Sequence, residues 1–280
     1  MEYTKGALDT KMATILIATL ADLTGSDRVS WDDVCGLEEI KDTIEIDVVM
    51  PWANPARFTG LRSASRGILM YGPPGTGKTM IGKCIASQMK AKFFSVTASS
   101  LITKWAGEAE RAVKTLFQLA RALQPTIIFI DEIDALLGVR NDNEKHTAVS
   151  IIGYIFVIIS TSLQDGCTTK TSDKVLFIGA TNLPKSIDSA FIRRFTTRLY
   201  VPLPQVADRK VMLTKIMSST ENSLSEEDVE KIARETEGYS GSDLNQLCRW
   251  ASKNYTRKLK RDSRGRFVFP ENVSPPNLNF

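Results

Sequence analysis

The sequence predicts a three-layer α/β domain on a parallel five-stranded sheet, followed by a small helical domain. Three observations predict it. Short apolar, β-branched runs alternate with longer stretches of helical spacing. Several of those runs are apolar on both faces, as strands covered by helices on both sides must be. The alternation stops at Pro202-Leu203-Pro204, after which only helical patterns occur. A chain of 280 residues suits one large domain with a smaller one. With 42% apolar and 24% charged residues, its composition excludes disordered, collagenous and disulfide-scaffold classes.

In chain order, strands are expected at 66–71 (RGILMY), 92–96 (KFFSV), 126–130 (TIIFI), 175–180 (VLFIGA) and 198–201 (RLYV). Helical spacing fills 78–89 and 108–123 between them, which implies right-handed crossovers. Beyond the prolines, helices are expected at 207–218, 225–236 and 242–259. Ser225 is placed to cap the second, with Asp228 three residues on. The domain reading is an N-terminal segment or linker (1–28), the α/β domain (29–204), the helical domain (205–262) and a loosely ordered, truncated tail rich in Pro and Asn (263–280).

Two apolar runs bear on a membrane role. Residues 12–21 are short, and Glu2 and Asp9 spoil the positive flank of a signal peptide. Residues 151–159 fall far below the ~20 that a spanning helix needs, so a buried helix or strand is the expectation and an integral membrane role is not. The 36 basic and 32 acidic residues leave a net charge of +4, too weak to name a nucleic-acid substrate. Cys35, Cys84, Cys167 and Cys248 lie far apart, and His146 is the sole histidine. A protein-built zinc site is therefore not expected, and a reduced intracellular compartment is.

Gly72-Pro73-Pro74-Gly75-Thr76-Gly77-Lys78-Thr79 follows a strand and opens a helix, the setting a P-loop requires. Its glycines let backbone N–H groups converge on phosphate oxygens, and the new helix turns its positive end toward them. Lys78 is expected to reach the β- and γ-phosphates, and the Thr79 hydroxyl to coordinate Mg²⁺. Average residue frequencies give on the order of 0.01 chance matches in a chain of this length. The fold expectation thus narrows to a P-loop NTPase sandwich.

The strand at 126–130 runs into Asp131 and Glu132. Ligands of open parallel sheets sit at the carboxyl ends of strands, which puts both acids beside the P-loop. Asp131 is expected to hold Mg²⁺, directly or through water, and Glu132 to orient the attacking water. Asn182 follows another strand; its amide is placed to position water against the γ-phosphate, or simply to form a turn before Pro184.

These residues resemble the AAA ATPases of the microtubule-severing and membrane-remodelling clade, over about Val29 to Ser252. The segments VSWDDVCGLEEIKDTI, GILMYGPPGTGKT, IIFIDEIDALL, GATNLPKSID, RRFTTRLYVPLP and GYSGSDLNQL follow the family's order and spacing. Within the clade, FTGLR, IGKCIASQ and FFSVTASSLITKWAGEAER are most similar to fidgetin-like proteins, with katanin, spastin and the ESCRT-disassembling ATPase as relatives. The resemblance implies that the helical domain is an AAA lid and that ATP with Mg²⁺ is the cofactor. The implied cofactor-binding set is Asp33, Val34, Gly36, Pro74, Gly75, Thr76, Gly77, Lys78, Thr79, Met80, Asp131, Gly241 and Ser242. It makes Asn182 the γ-phosphate sensor and Arg193 and Arg194 the fingers reaching a neighbouring subunit's nucleotide. Read alone, that pair is a solvated basic surface. Lys104, Trp105 and Ala106 match the first pore loop, which grips an extended polypeptide; without the family context, Trp105 reads as a core residue.

The implied function is a hexameric, Mg·ATP-dependent protein-remodelling motor. Microtubule severing through tubulin tails is the leading expectation, with nuclear or cytoplasmic location. ESCRT-type polymer disassembly is an alternative, although 28 leading residues are short for a substrate-recognition domain. A nucleotide-binding interaction module with an impaired ring is another, because the sequence departs from the family after Leu137. There GVRNDNEKHTAVSIIGYIFVIISTSLQDG lacks the usual arginine pair and is heavily apolar. The chain also stops near where the family's last helix begins. A small-molecule kinase does not fit the joint occurrence of FIDEID, the arginine pair and the lid. The basic stretch at 257–266 (RKLKRDSRGR) reads as a solvated helix end, with nuclear import or a tubulin contact as alternatives.

Overall fold

The computed structural model describes residues 10–21, 29–104, 109–136, 152–153, 174–218, 220, 222 and 224–257. The described residues form two compact units: one from Met1–Gly72 and Lys78–Val201, the other from Pro73–Gly77 and Pro202–Phe280.

The first unit is a six-stranded sheet. Helix α1 (Thr10–Ile17) leads to a two-residue strand, β1 (Leu20–Ala21). Helix α2 (Glu38–Ile44) continues through a π-helical turn (Glu45–Val49) into α3 (Met50–Ala53). Then come β2 (Gly67–Tyr71), α4 (Lys78–Gln88), β3 (Lys92–Thr97), α5 (Ala98–Lys104), α6 (Ala109–Ala122) and β4 (Thr126–Asp131). A 3₁₀ turn (Ile133–Leu136), β5 (Val175–Thr181), the short α7 (Ser189–Ile192) and β6 (Thr197–Tyr200) complete it. The strand order is β1-β3-β4-β5-β2-β6. The five strands expected from sequence pair in parallel, and β1 adds an antiparallel edge through Leu20–Phe94 and Ala21–Phe93.

Side-chain alternation builds the two flanking layers. In β4, Ile127 and Phe129 enter a core with Ile81 and Ile85 of α4 and with Ile44, Val48 and Trp52. Ile128 and Ile130 enter the opposite core with Met12 and Leu16 of α1 and with Val113, Leu116 and Phe117 of α6. Each such aliphatic or aromatic side chain contributes about 1.5–3 kcal/mol by leaving water. The apolar run at 12–21 therefore carries three core residues, Met12, Ala13 and Leu16. In α4, a Cβ on Gly82 would stand 2.9 Å from the Phe129 ring, so only glycine lets this helix lie so close to the sheet.

The second unit holds α8 (Val206–Met217), α9 (Glu226–Glu235) and α10 (Gly241–Arg257). Leu213, Met217, Val229, Ile232, Leu244 and Cys248 form its core. Ser225 caps α9: its hydroxyl oxygen accepts from Asp228 N–H at 3.2 Å, and Asp228 Oδ2 accepts from Ser225 N–H at 3.0 Å. The Ser225 hydroxyl, and after it the Ser225 N–H, holds the Asp228 carboxyl below its usual range. Arg209 is buried; Nε donates to Ala233 O (2.9 Å) and Nη1 to Pro204 O (2.7 Å). Among the described residues no helix is long and apolar enough to cross a membrane.

Candidate nucleotide site at the strand ends

Strand β2 ends at Tyr71, and Gly72 lies hard against the strand that closes the sheet. A Cβ on Gly72 would land on the Val201 carbonyl oxygen, so the turn needs glycine. Its carbonyl accepts from Lys78 Nζ at 2.9 Å. Lys78, the first residue of α4, is only 6% exposed. Burial pushes its ammonium below the usual lysine range, while the Asp131 and Asp134 carboxylates pull it back up. Lys78 is thus a desolvated cation facing two acids.

Thr79 Oγ1 donates to Asp131 Oδ2 at 3.1 Å, joining the start of α4 to the end of β4. Asp131 Oδ1 accepts the Glu132 N–H at 2.9 Å. Glu132 itself has φ +52°, a left-handed conformation that costs energy in a non-glycine residue, and its side chain is exposed. Lys78, Thr79, Asp131, Glu132 and Asn182 of this neighbourhood were expected from sequence; two further residues were not. Thr181 Oγ1 donates to Asp134 Oδ1 at 2.6 Å and accepts from Leu183 N–H at 3.0 Å. Asp134 lies three residues after Asp131, and Thr181 directly precedes Asn182. Asn182 Oδ1 is buried without a hydrogen-bond partner, an orphan that a buried amide oxygen rarely remains.

Asp33 and Val34 lie on a short 3₁₀ turn and its end, and Gly36 follows at φ +66°. Asp33 Oδ2 accepts from Ser30 N–H at 2.9 Å, and Ser30 O accepts from the Cys84 thiol at 3.2 Å, which ties this segment to α4. Met80 packs against the core shared with α4. In the second unit, Thr76 Oγ1 donates to Pro73 O (2.9 Å), and the Ser242 N–H donates to Gly75 O (3.2 Å). Gly75 has φ +73°, and a Cβ there would collide with Ser240 and Ser242. Pro74 is exposed, Gly77 has φ +92°, and Gly241 opens α10.

Residues 68–203 match the family "ATPase family associated with various cellular activities (AAA)", and residues 226–254 match the AAA+ lid domain. A crystal structure of the FIGL-1 AAA domain in complex with ADP superimposes with a TM-score of 0.78 at 37% identity, covering 91% of this chain and 82% of that one. The chain belongs to the AAA ATPase family. Human fidgetin-like protein 1 is 46% identical over 253 residues, covering 90% of this chain but 36% of its own length. This chain thus spans about a third of that relative. A solved structure on the structural basis for katanin self-assembly matches 98% of this chain and 86% of its own, with a TM-score of 0.73 and 32% identity.

Within this AAA core, Lys78, Thr79, Asp131 and the backbone of Glu132 are joined by contacts of the first unit. Arg193 and Arg194 are exposed after α7, between the buried Phe191 and Phe195, whose rings meet edge to face at 5.2 Å. The Lys104 backbone ends α5. Trp105, Ala106, the Lys104 side chain, the divergent stretch at 138–165 apart from residues 152–153, His146, Cys167 and the basic stretch beyond Arg257 lie outside the described residues; Ile152 is buried in the core that holds α1 and α6.

Proposed function

We propose that this chain is the motor portion of a Mg·ATP-dependent, hexameric protein-remodelling ATPase that severs microtubules by pulling tubulin tails. One observation carries the nucleotide half: a desolvated Lys78, the Thr79–Asp131 contact and the orphaned Asn182 Oδ1 all sit at the carboxyl ends of β2, β4 and β5. A buried lysine favours a ligand with anionic oxygens, and an unpartnered amide oxygen favours a hydrogen-bond donor such as a polarised water. ATP and its attacking water supply these.

Thr79 Oγ1 and Asp131 Oδ2 are two hard oxygens suited to Mg²⁺. Among the described residues no three His, Cys, Asp or Glu side chains converge as a metal cage, so phosphate and water oxygens would fill the other positions. The bound ion would neutralise charge on the β- and γ-phosphates. Lys78 neutralises the phosphate oxygens, Glu132 takes the water proton, and Asn182 orients that water. Arg193 and Arg194 act on a neighbour's nucleotide, which makes turnover depend on assembly. Likeness to a katanin structure concerned with self-assembly supports the oligomer, and likeness to fidgetin-like protein 1 supports placement in the severing group.

The test combines ATP turnover with imaging of stabilised microtubules, using Glu132→Gln as the blank. Turnover above the blank with microtubule breakage supports the whole reading. Turnover with intact microtubules removes tubulin and leaves polymer disassembly. ATP binding with blank-level turnover replaces the motor with a nucleotide-dependent interaction module.

A further inference from the structure

Thr181 occupies an unusual position in the hydrogen-bond pattern. It is fully buried as the last residue of β5, paired with Tyr71 of β2. Its hydroxyl donates to Asp134 Oδ1 at 2.6 Å, a charge-assisted bond, and accepts the Leu183 N–H at 3.0 Å. Its carbonyl accepts the Gly72 N–H at 3.3 Å. The Gly72 carbonyl in turn accepts from Lys78 Nζ at 2.9 Å. One residue therefore connects the 3₁₀ turn after Glu132, the loop carrying Asn182, and the first residue of the phosphate loop.

We infer that Thr181 and Asp134 form a positioning pair that fixes Glu132 and Asn182 relative to each other for attack on the γ-phosphate, an inference that rests on the ATPase reading above. The argument is geometric. The Leu183 N–H returns to the Thr181 hydroxyl across Asn182, so this bond closes a small ring that sets the backbone of Asn182 and the direction of its amide. Asp134 belongs to the turn Ile133–Leu136, which begins immediately after Glu132 and is tied to it by Ala135 N–H donating to Glu132 O at 2.9 Å. Glu132 holds a left-handed φ of +52°, which persists only if its surroundings enforce it. The bond between Asp134 and Thr181 joins the two loops whose side chains must meet one water molecule. Neither residue is positioned as a phosphate ligand by its own contacts: the Thr181 hydroxyl is spent on Asp134 and Leu183. The Thr181 effect should therefore fall on the chemical step and leave nucleotide affinity alone, whereas Asp134, whose carboxylate also supports the Lys78 ammonium, is read through kcat only.

The experiment compares Thr181→Val, which keeps the shape and the backbone bond to Gly72, with Thr181→Ser, which keeps the hydroxyl. The readouts are kcat and KM for ATP and the affinity for a fluorescent ATP analogue. Thr181→Val should lower kcat about 10- to 100-fold with analogue affinity within about threefold, the pattern of a misplaced reacting group. Thr181→Ser should recover kcat to within about threefold of the unmodified protein. Asp134→Ala should reproduce the kcat loss and Asp134→Asn, which keeps a carbonyl acceptor, should spare most of it. That pair carries the test if Thr181→Val does not fold. The double variant Thr181→Val/Asp134→Ala should be no worse than the poorer single one. Equal kcat for Thr181→Val and Thr181→Ser, or a loss confined to KM and analogue affinity, overturns the inference alone. Blank-level turnover in the unmodified protein overturns both the inference and the ATPase reading.

Discussion

The strand-end site and the arginine turn are built in opposite ways. Around Lys78, the polar groups answer one another inside the chain: Gly72 O takes the ammonium, Asp131 takes Thr79, and Asp134 takes Thr181. At Arg193 and Arg194 the charges lie at the surface, yet the turn beneath them is anchored. Phe191 and Phe195 are both buried, and Phe195 also packs on Phe177 at 6.0 Å. A merely solvated basic pair needs no such foundation. An exposed guanidinium on a rigid base suits delivery to something outside its own chain. The difference separates polar groups bonded to one another within the chain from a pair of surface cations held on a buried aromatic base.

Two variants and one labelling experiment sharpen this contrast, from the largest expected effect to the smallest. Lys78→Met should reduce ATP turnover at least about 100-fold at every protein concentration, because the phosphate contact proposed for Lys78 is charge-assisted and lies within the subunit. Its thermal midpoint should hold or rise. Burial lowers the Lys78 pKa, so the charged form is disfavoured in the folded state at neutral pH. That penalty is fully present below the lowered pKa and fades as pH climbs toward the ordinary lysine value of 10.5. A clear loss of stability in Lys78→Met at pH 7 would contradict the desolvation account. Phe195→Ala should destabilise the first unit by about 3–5 kcal/mol, as other buried aromatic truncations do. Denaturant unfolding reads this, and a cost below ~1 kcal/mol would mean that the arginine turn is not anchored. Cys84 should show the smallest effect, an absence of reaction. Burial, with the nearby Asp33 charge second, pushes its thiol up to about 12. Iodoacetamide at pH 8 should leave it unmodified in the native protein and alkylate it after denaturation, as mass spectrometry of the Cys84 peptide would show.

The parallel core was legible because buried strands write continuous apolar runs: the expected 126–130 and 175–180 became Thr126–Asp131 and Val175–Thr181. Edge and entry structure was less legible. Strand β1 has only two residues, too few for any period, and its pairing with β3 is a tertiary event. The helix through Glu38–Ala53 hides its face because a π-helical turn shifts the spacing midway, and Ile46 and Met50 end up exposed. The P-loop and the acid pair were plain as motifs because glycine, lysine and acid at fixed spacing have few other uses. Thr181 and Asp134 were not singled out. Thr181 looks like an ordinary strand-end residue and Asp134 like an ordinary turn acid, and only folding brings them within 2.6 Å across 47 positions of chain.

The central claim is that hydrolysis is completed across a subunit boundary, and mixing two inactive variants tests it most directly. Glu132→Gln lacks the carboxylate proposed to activate water, and Arg193→Ala lacks the proposed finger. Each alone should turn over ATP at the blank rate. If the arginine acts in trans, an equimolar mixture should recover activity at about one quarter of its sites, where an intact Glu132 faces an intact Arg193 from its neighbour. A mixture that stays at the blank rate, although both variants assemble and bind ATP, would contradict the account.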